Sequence, residues 1–245
     1  MPLDTDTIRL LPCGDTALTV QLGDSVSRDM ALSAVAFAAR VRKAAIEGVV
    51  ECVPTFCSVT VHFEPLRIEP TVLESRLMSL ARGLEPALPD ARHWRIPVCC
   101  EGAYAPDLAE VAQRTGMTPD EVIALHSAQT WFVYTLGFLP GFAYLGDLPV
   151  ELELPRRATP RQRVPAGSLG IALRLTGLYP ADSPGGWHLI GHTPVPLFAP
   201  ASQSPALLAP GDSVRFEPVS EAEHARIASE VARGEFELRP QEHSP

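Results

Sequence analysis

No apolar run in this chain approaches the roughly 20 residues that a bilayer span requires, and the opening stretch MPLDTDTIRLLPCGD has acids where a secretory leader carries basic residues. The expectation is a cytoplasmic protein with no membrane contact. Clusters of Lys and Arg long enough to follow a phosphate backbone are also missing, and 20 basic residues face 29 acidic ones for a net charge of −9, which sets nucleic acid aside. There is no C-x-x-C pair. Five cysteines, Cys13, Cys52, Cys57, Cys99 and Cys100, form neither a disulfide framework nor a zinc knuckle and read as small buried hydrophobes. Cys57, in the alternating run FCSVTVHF, is the one worth weighing as a nucleophile, against a buried strand position. Gly-Lys-Ser/Thr and G-x-S-x-G are absent as well, which excludes a P-loop and a nucleophile elbow.

What is present has ordinary globular composition, 46% hydrophobic and 20% charged over 245 residues, enough for two modest domains. TIRLLPCGDTALTVQLGD predicts two strands around Gly14-Asp15, and SRDMALSAVAFAARVRKAAI predicts a helix. VVECVP and SVTVHF are two more strands. EPTVLESRLMSLARG is a second helix, with Thr71 and Glu74 at capping-box spacing and Gly83 as its stop. The order ββαββα predicts a small sheet with helices over one face, an α+β domain over residues 1–85.

LEPALPDAR is the best linker, and a second domain over 86–245 follows it. HWRIPVCC predicts a strand, and PDLAEVAQRTG and TPDEVIALHSAQ predict helices, the second opened by Thr118, Pro119 and Glu121. From Trp131 to Pro218 short apolar strands are broken by Gly and Pro, the texture of a β-barrel or sandwich. SEAEHARIASEVARG closes with a helix for which Ser220 and Glu223 propose a capping box.

Three segments of the β-rich part carry more than connectors need. In LGFLPGFAYLGDLP a rigid Pro140-Gly141 turn is flanked by Phe138, Phe142 and Tyr144, as in a packed aromatic corner or a ligand pocket. LPRRATPRQRVPAGSLGI gathers Arg156, Arg157, Arg161 and Arg163 in an acidic chain. Such a group binds carboxylate or phosphate, or is a solvated loop or a subunit interface. VPAGSLG adds consecutive backbone N–H groups in a Gly-rich bend, a weak anion nest. In YPADSPGGWHLIGHTP, Pro184-Gly185-Gly186 is turn chemistry and Trp187 begins a strand. Ser168 and Ser183 have no assignable acid and base. His188 and His192, four apart, suit a metal or acid–base pair less well than a structural role.

Four stretches in order, YTLGFLPGFAYLGDLP, PRRATPRQRVPAGSLGIA, TGLYPADSPGGWHLIGHTP and LLAPGDSVRF, resemble the KipI family, whose members are described as the B subunit of bacterial 5-oxoprolinase, allophanate hydrolase subunit 1, and inhibitors of a sporulation histidine kinase. LLPCGDTALTVQLGD, VVECVPTFCSVTVHFEPLRI and IPVCCEGAYAPDLAEVA extend the resemblance over nearly the whole chain. It implies a ferredoxin-like amino-terminal domain followed by a mainly-β, cyclophilin-like barrel.

The resemblance also implies partners: a homologous barrel protein, the C subunit, and a separate A subunit, the three together hydrolysing 5-oxo-L-proline to L-glutamate at the expense of ATP, whose site this sequence does not locate. The substrate pocket is then expected between two lobes. Phe138, Pro140, Phe142 and Tyr144 would wall an apolar cleft, Arg156, Arg157 and Arg161 would hold an anionic group, and Gly167, Ser168, Tyr179, Ser183, Gly185, Gly186 and Trp187 would shape the other wall. This chain departs from the family at Leu175, where members carry glutamine, and at His192, where they carry arginine; His192 can still donate a hydrogen bond but lacks a permanent charge. No catalytic residue and no metal site is assigned. The alternatives are a histidine-kinase inhibitor and a member of an allophanate- or urea-type amide-processing complex.

Overall fold

A computed structural model describes residues 7–85 and 91–241. The chain divides into two compact units, 1–91 and 92–245. The central part of the segment read as a linker, residues 86–90, lies outside the described residues, as do residues 1–6.

The first unit runs β1 (Arg9–Pro12), β2 (Ala17–Gln21), α1 (Arg28–Lys43), β3 (Val49–Pro54), β4 (Ser58–Phe63) and α2 (Pro70–Ala81). Its antiparallel sheet has the order β1-β2-β4-β3. Alternation places Leu18 and Val20 opposite Val61 and Val59 on one face, where they share a core with Phe37 and Val41 of α1 and Leu73 and Leu77 of α2. On the other face Thr19 and Thr60 join hydroxyls at 2.9 Å. The Ser27 side chain caps α1 by accepting from Met30 N–H.

Two local expectations need correction. α2 starts one residue before the proposed capping box: Pro70 sits at its first turn, Glu69 at the N-cap makes no side-chain cap, and the Thr71 carbonyl accepts from Ser75. Proline's fixed φ opened the helix without a box. Cys57 lies in a half-buried bend just before β4 rather than within a strand, and burial pushes its thiol pKa up, away from nucleophile behaviour.

The second unit has β5 (His93–Cys99), α3 (Leu108–Thr115), α4 (Pro119–Ser127), β6 (Trp131–Leu136), β7 (Ala143–Gly146), β8 (Arg161–Val164), β9 (Ser168–Ala172), β10 (Leu175–Leu178), β11 (Ser183–Gly185), β12 (His188–His192), β13 (Ser213–Val219) and α5 (Glu221–Arg233). Seven strands close a barrel in the order β10-β7-β6-β13-β5-β12-β9, and β8 with β11 forms a separate two-stranded ribbon. One seam is parallel: β13 runs beside β5 over seven residue pairs, Ser213↔His93 to Val219↔Cys99. The start of that seam is fixed by Asp212, 3% exposed, which accepts from the Arg92 backbone and guanidinium, from Trp94 Nε1 at 2.9 Å and from Ala209 N–H at 2.9 Å. α4 has a full capping box between Thr118 and Glu121. In α5 only half forms, because the Glu223 carboxylate turns to Arg226 while Ser220 still accepts from Glu223 N–H.

The barrel core meets α4 at His126, which is buried, stacks 5.3 Å from Phe216 and pairs its Nε2 with Thr176 Oγ1 at 2.9 Å. Thr176 gives its own proton to the Gly170 carbonyl, so His126 must be the donor. Burial drops the His126 pKa to about 3. Above pH 6.5 both folded and unfolded states hold this histidine neutral. Below it the unfolded chain takes up a proton that the fold refuses, at up to ~1.4 kcal/mol per pH unit. Urea unfolding at pH 7 and pH 5 should therefore show His126→Gln losing about 2 kcal/mol less than the wild type on acidification. Equal losses would remove His126 from the acid response.

Candidate functional site

Beside the barrel, Phe138, Phe142, Tyr144, Arg156, Pro160, Tyr179, Pro184, Gly185, Gly186 and Trp187 line a cleft of about 200 Å³. Its floor is an aromatic cluster. Phe142, 1% exposed, meets Tyr144, Tyr179 and Trp187 edge-on at centroid distances of 4.9, 5.2 and 5.5 Å. The sequence brings these rings together because β7 pairs with β10, which sets Ala143 opposite Leu178 and so places Phe142 next to Tyr179. The stretch YPADSPGGWHLIGHTP is therefore both a turn and a wall of the cleft.

Tyr179 sets the depth of the cleft. Its hydroxyl accepts from the Trp187 backbone, and burial raises its pKa to about 12, so it stays a neutral phenol. A side chain at Gly185 would put its Cβ 2.6 Å from that hydroxyl, which is why the position holds glycine. Burial also raises the Tyr144 pKa, with the Arg156 charge acting in the opposite sense. Arg156 is exposed, lines the cleft, and forms no ion pair among the described residues.

The other arginines are engaged. Asp107, 3% exposed at the start of α3, accepts from Arg157 Nη1 at 3.1 Å, from Arg161 Nη2, and from Leu189 N–H at 2.7 Å. Arg157 Nη1 also reaches Glu110 at 3.1 Å, and its backbone N–H donates to the Gly186 carbonyl at 2.8 Å. Arg163 pairs with Asp182 at 2.7 Å, and that carboxylate also caps Ala166 N–H. Arg157 Nε and Arg161 Nη1 are buried and make no hydrogen bond among the described residues. Asp107 carried no motif of its own. A single acid before LAEVA looks like any helix-start residue, and only the tertiary pairing shows its weight.

The remaining expected residues lie apart from the cleft lining. Pro140 sits in the turn next to Phe138 but does not line the cleft. Ser183, in the ribbon, is buried with an unpaired hydroxyl, and Ser168 begins β9. Gly167, at φ +85, packs its backbone so closely on Thr193 that a Cβ would collide with that carbonyl. His192 donates from Nε2 to the Ala166 carbonyl at 2.8 Å, so its Nδ1 must accept from His224 Nε2 at 2.9 Å. Desolvation lowers both histidine pKa values, and the Tyr104 ring packs on each. His188 turns instead to the Pro155 carbonyl at 3.0 Å. No group of three or more His, Cys, Asp or Glu among the described residues is placed to hold a metal ion.

Residues 8–208 match the model of the carboxyltransferase domain, subdomain C and D, and the chain belongs to that family. Among curated relatives, the 5-oxoprolinase B subunit of Bacillus subtilis (strain 168) is 38% identical over 222 residues, 86% of this chain and 92% of the relative. The 5-oxoprolinase B subunit of Escherichia coli O157:H7 is 43% identical over 211 residues, 85% of this chain and 94% of the relative. The crystal structure of the K. lactis urea amidolyase matches 99% of this chain with TM-score 0.78 at 20% identity, a likeness of fold; this chain spans 17% of that one.

The pairing of Asp107 separates two kinds of arginine. Asp107→Ala should lower the unfolding free energy by about 2–4 kcal/mol, because it strands two partly buried guanidinium groups. Arg156→Ala should change it by less than about 0.5 kcal/mol. Urea titration followed by tryptophan fluorescence checks both, and equal losses would contradict this division.

Proposed function

We propose that this chain is the B-type subunit of an ATP-dependent 5-oxoprolinase complex, hydrolysing 5-oxo-L-proline to L-glutamate with a homologous C-type barrel protein and an A-type partner. The observation that carries the reading is a small aromatic cleft with one uncommitted guanidinium. 5-Oxo-L-proline is a five-membered lactam ring bearing a carboxylate, and about 200 Å³ falls below the roughly 300–1,000 Å³ of drug-sized sites. The ring lies on Trp187 and Phe142, and Arg156 takes the carboxylate with two parallel hydrogen bonds. Identity of 38–43% to proteins named as the B subunit of 5-oxoprolinase supports the assignment.

Arg157 and Arg161, held in place by Asp107, and the Gly167-Ser168 bend, whose N–H groups donate to the Tyr179 and Pro165 carbonyls, are proposed to brace the walls of the cleft while the lactam carbonyl is activated. Pro140, Ser183 and His192 shape the segments that carry the walls. The cleft does not fit ATP itself: one free guanidinium faces a triphosphate that needs several, and Arg157, Arg161 and Arg163 are matched by Asp107, Glu110 and Asp182. No step is drawn through the nucleotide on this chain, and ATP belongs to the assembled complex. The same reading keeps the ferredoxin-like description of the first unit, supported by its antiparallel order β1-β2-β4-β3 with α1 and α2 on one face, and the cyclophilin-like description of the barrel.

The test is glutamate release from 5-oxo-L-proline and ATP by this chain mixed with its C-type and A-type partners, each component omitted in turn. Release that depends on this chain, with none from the chain alone, is the expected result. Turnover by the single chain, or a complete complex that releases no glutamate, would overturn the proposal. An amide of the urea or allophanate type is the substrate to try next, given the fold shared with urea amidolyase.

A further inference from the structure

We infer that Phe138 is a pre-strained clamp: its ring is fixed in advance at the mouth of the cleft, where it covers the bound small amide, and the fold tolerates the strain for that purpose. The inference rests on the reading of the cleft as the substrate site and adds a residue role to it.

Leu139 N–H donates to the Gly137 carbonyl at 2.8 Å, which closes a three-residue turn centred on Phe138. Phe138 has φ +69. This is the rare form of the three-residue turn, and a bulky aromatic residue there is an outlier. Glycine would occupy it without strain, and the chain has glycine on hand at 137 and 141, yet the ring stands between them.

Neighbouring contacts over-determine the turn. Phe142 N–H donates to the Leu139 carbonyl at 3.0 Å, and Gly137 N–H donates to the Phe142 carbonyl at 3.1 Å. Gly141, at φ +83, packs against Phe198, so that a Cβ would fall 2.9 Å from the Phe198 Cβ. The loop is pinned from both ends.

Core packing does not account for the ring. Phe138 is 60% exposed and its aromatic partner is Phe142, met edge-on at 5.6 Å. A strained backbone that buries so little of its own side chain is the pattern of a site held ready for a ligand. A ring fixed in advance also loses little freedom on binding, and it lies on the same cleft as Arg156 and Trp187.

Three measurements on Phe138→Gly decide the role, with Phe138→Tyr as the conservative variant. The melting temperature of the free chain should stay within about 2 °C of wild type or rise. Acrylamide, itself a small amide, should quench tryptophan emission with a constant at least twofold larger, and the increase should vanish when Trp187→Phe is added. In the assembled complex, KM for 5-oxo-L-proline should rise about tenfold with kcat within threefold, and Phe138→Tyr should restore it. A melting temperature lowered by more than about 5 °C, unchanged quenching, or unchanged KM would each overturn the clamp. So would loss of binding to the C-type partner, which would make Phe138 an interface anchor. If the wild-type complex does not turn over 5-oxo-L-proline, the substrate reading falls, and the quenching result still decides whether Phe138 covers the cleft.

Discussion

The carboxylate of Asp107 is the interaction on which the site depends. One oxygen takes the Leu189 backbone and the other takes Arg157 and Arg161, so a single buried acid joins the start of α3, the 157–161 segment and β12, which are far apart in the chain. Burying that charge is tolerable only because these three donors surround it, and the Asp107 N–H to Leu189 carbonyl bond at 3.0 Å fixes the backbone beside it. The second wall of the cleft hangs from this knot through Arg157 N–H and the Gly186 carbonyl. Asp212 plays the matching part at the parallel seam, where it gathers Arg92, Trp94 and Ala209. Two buried acids thus tie α3 and the 157–161 segment to the barrel and fix the start of its parallel seam.

That arrangement divides the labour among similar residues. Four arginines fall within eight positions of sequence, yet Arg157, Arg161 and Arg163 are answered by carboxylates and Arg156 is not. Electrostatics of this kind makes a local net charge inside an acidic chain without filling the cleft with competing anions. In the proposed function the aromatic floor supplies area, and the uncommitted guanidinium supplies orientation.

Local pattern made much of the fold legible. Alternation in SVTVHF and ALTVQ marked the faces of the first sheet, because a half-buried strand leaves a period-two trace. Thr118, Pro119 and Glu121 marked the start of α4 correctly. Thr71 and Glu74 misled, since Pro70 one residue earlier already fixes φ for the first turn and no side-chain cap is required. The closure of the barrel by β5 and β13 was beyond reach: their parallel register spans 120 residues, and nothing local encodes which strand meets which. LLAPGDSVRF carried Asp212 in plain view, but its partners appear only in three dimensions.

The site was half legible for the same reason. Phe138, Phe142, Tyr144, Gly185, Gly186 and Trp187 stood out by composition, Tyr179 entered only through the family resemblance, and the pairing of β7 with β10 sets Tyr179 beside Phe142. Which arginine stays free, and that Asp107 decides it, followed from packing alone. The most direct test is a crystal structure of the assembled complex with 5-oxo-L-proline bound. The expected result is the lactam ring against Trp187 and Phe142, with its carboxylate on Arg156 and the Asp107 pairs intact. A ligand seated elsewhere, with Arg156 in solvent or Asp107 released from its arginines, would contradict it.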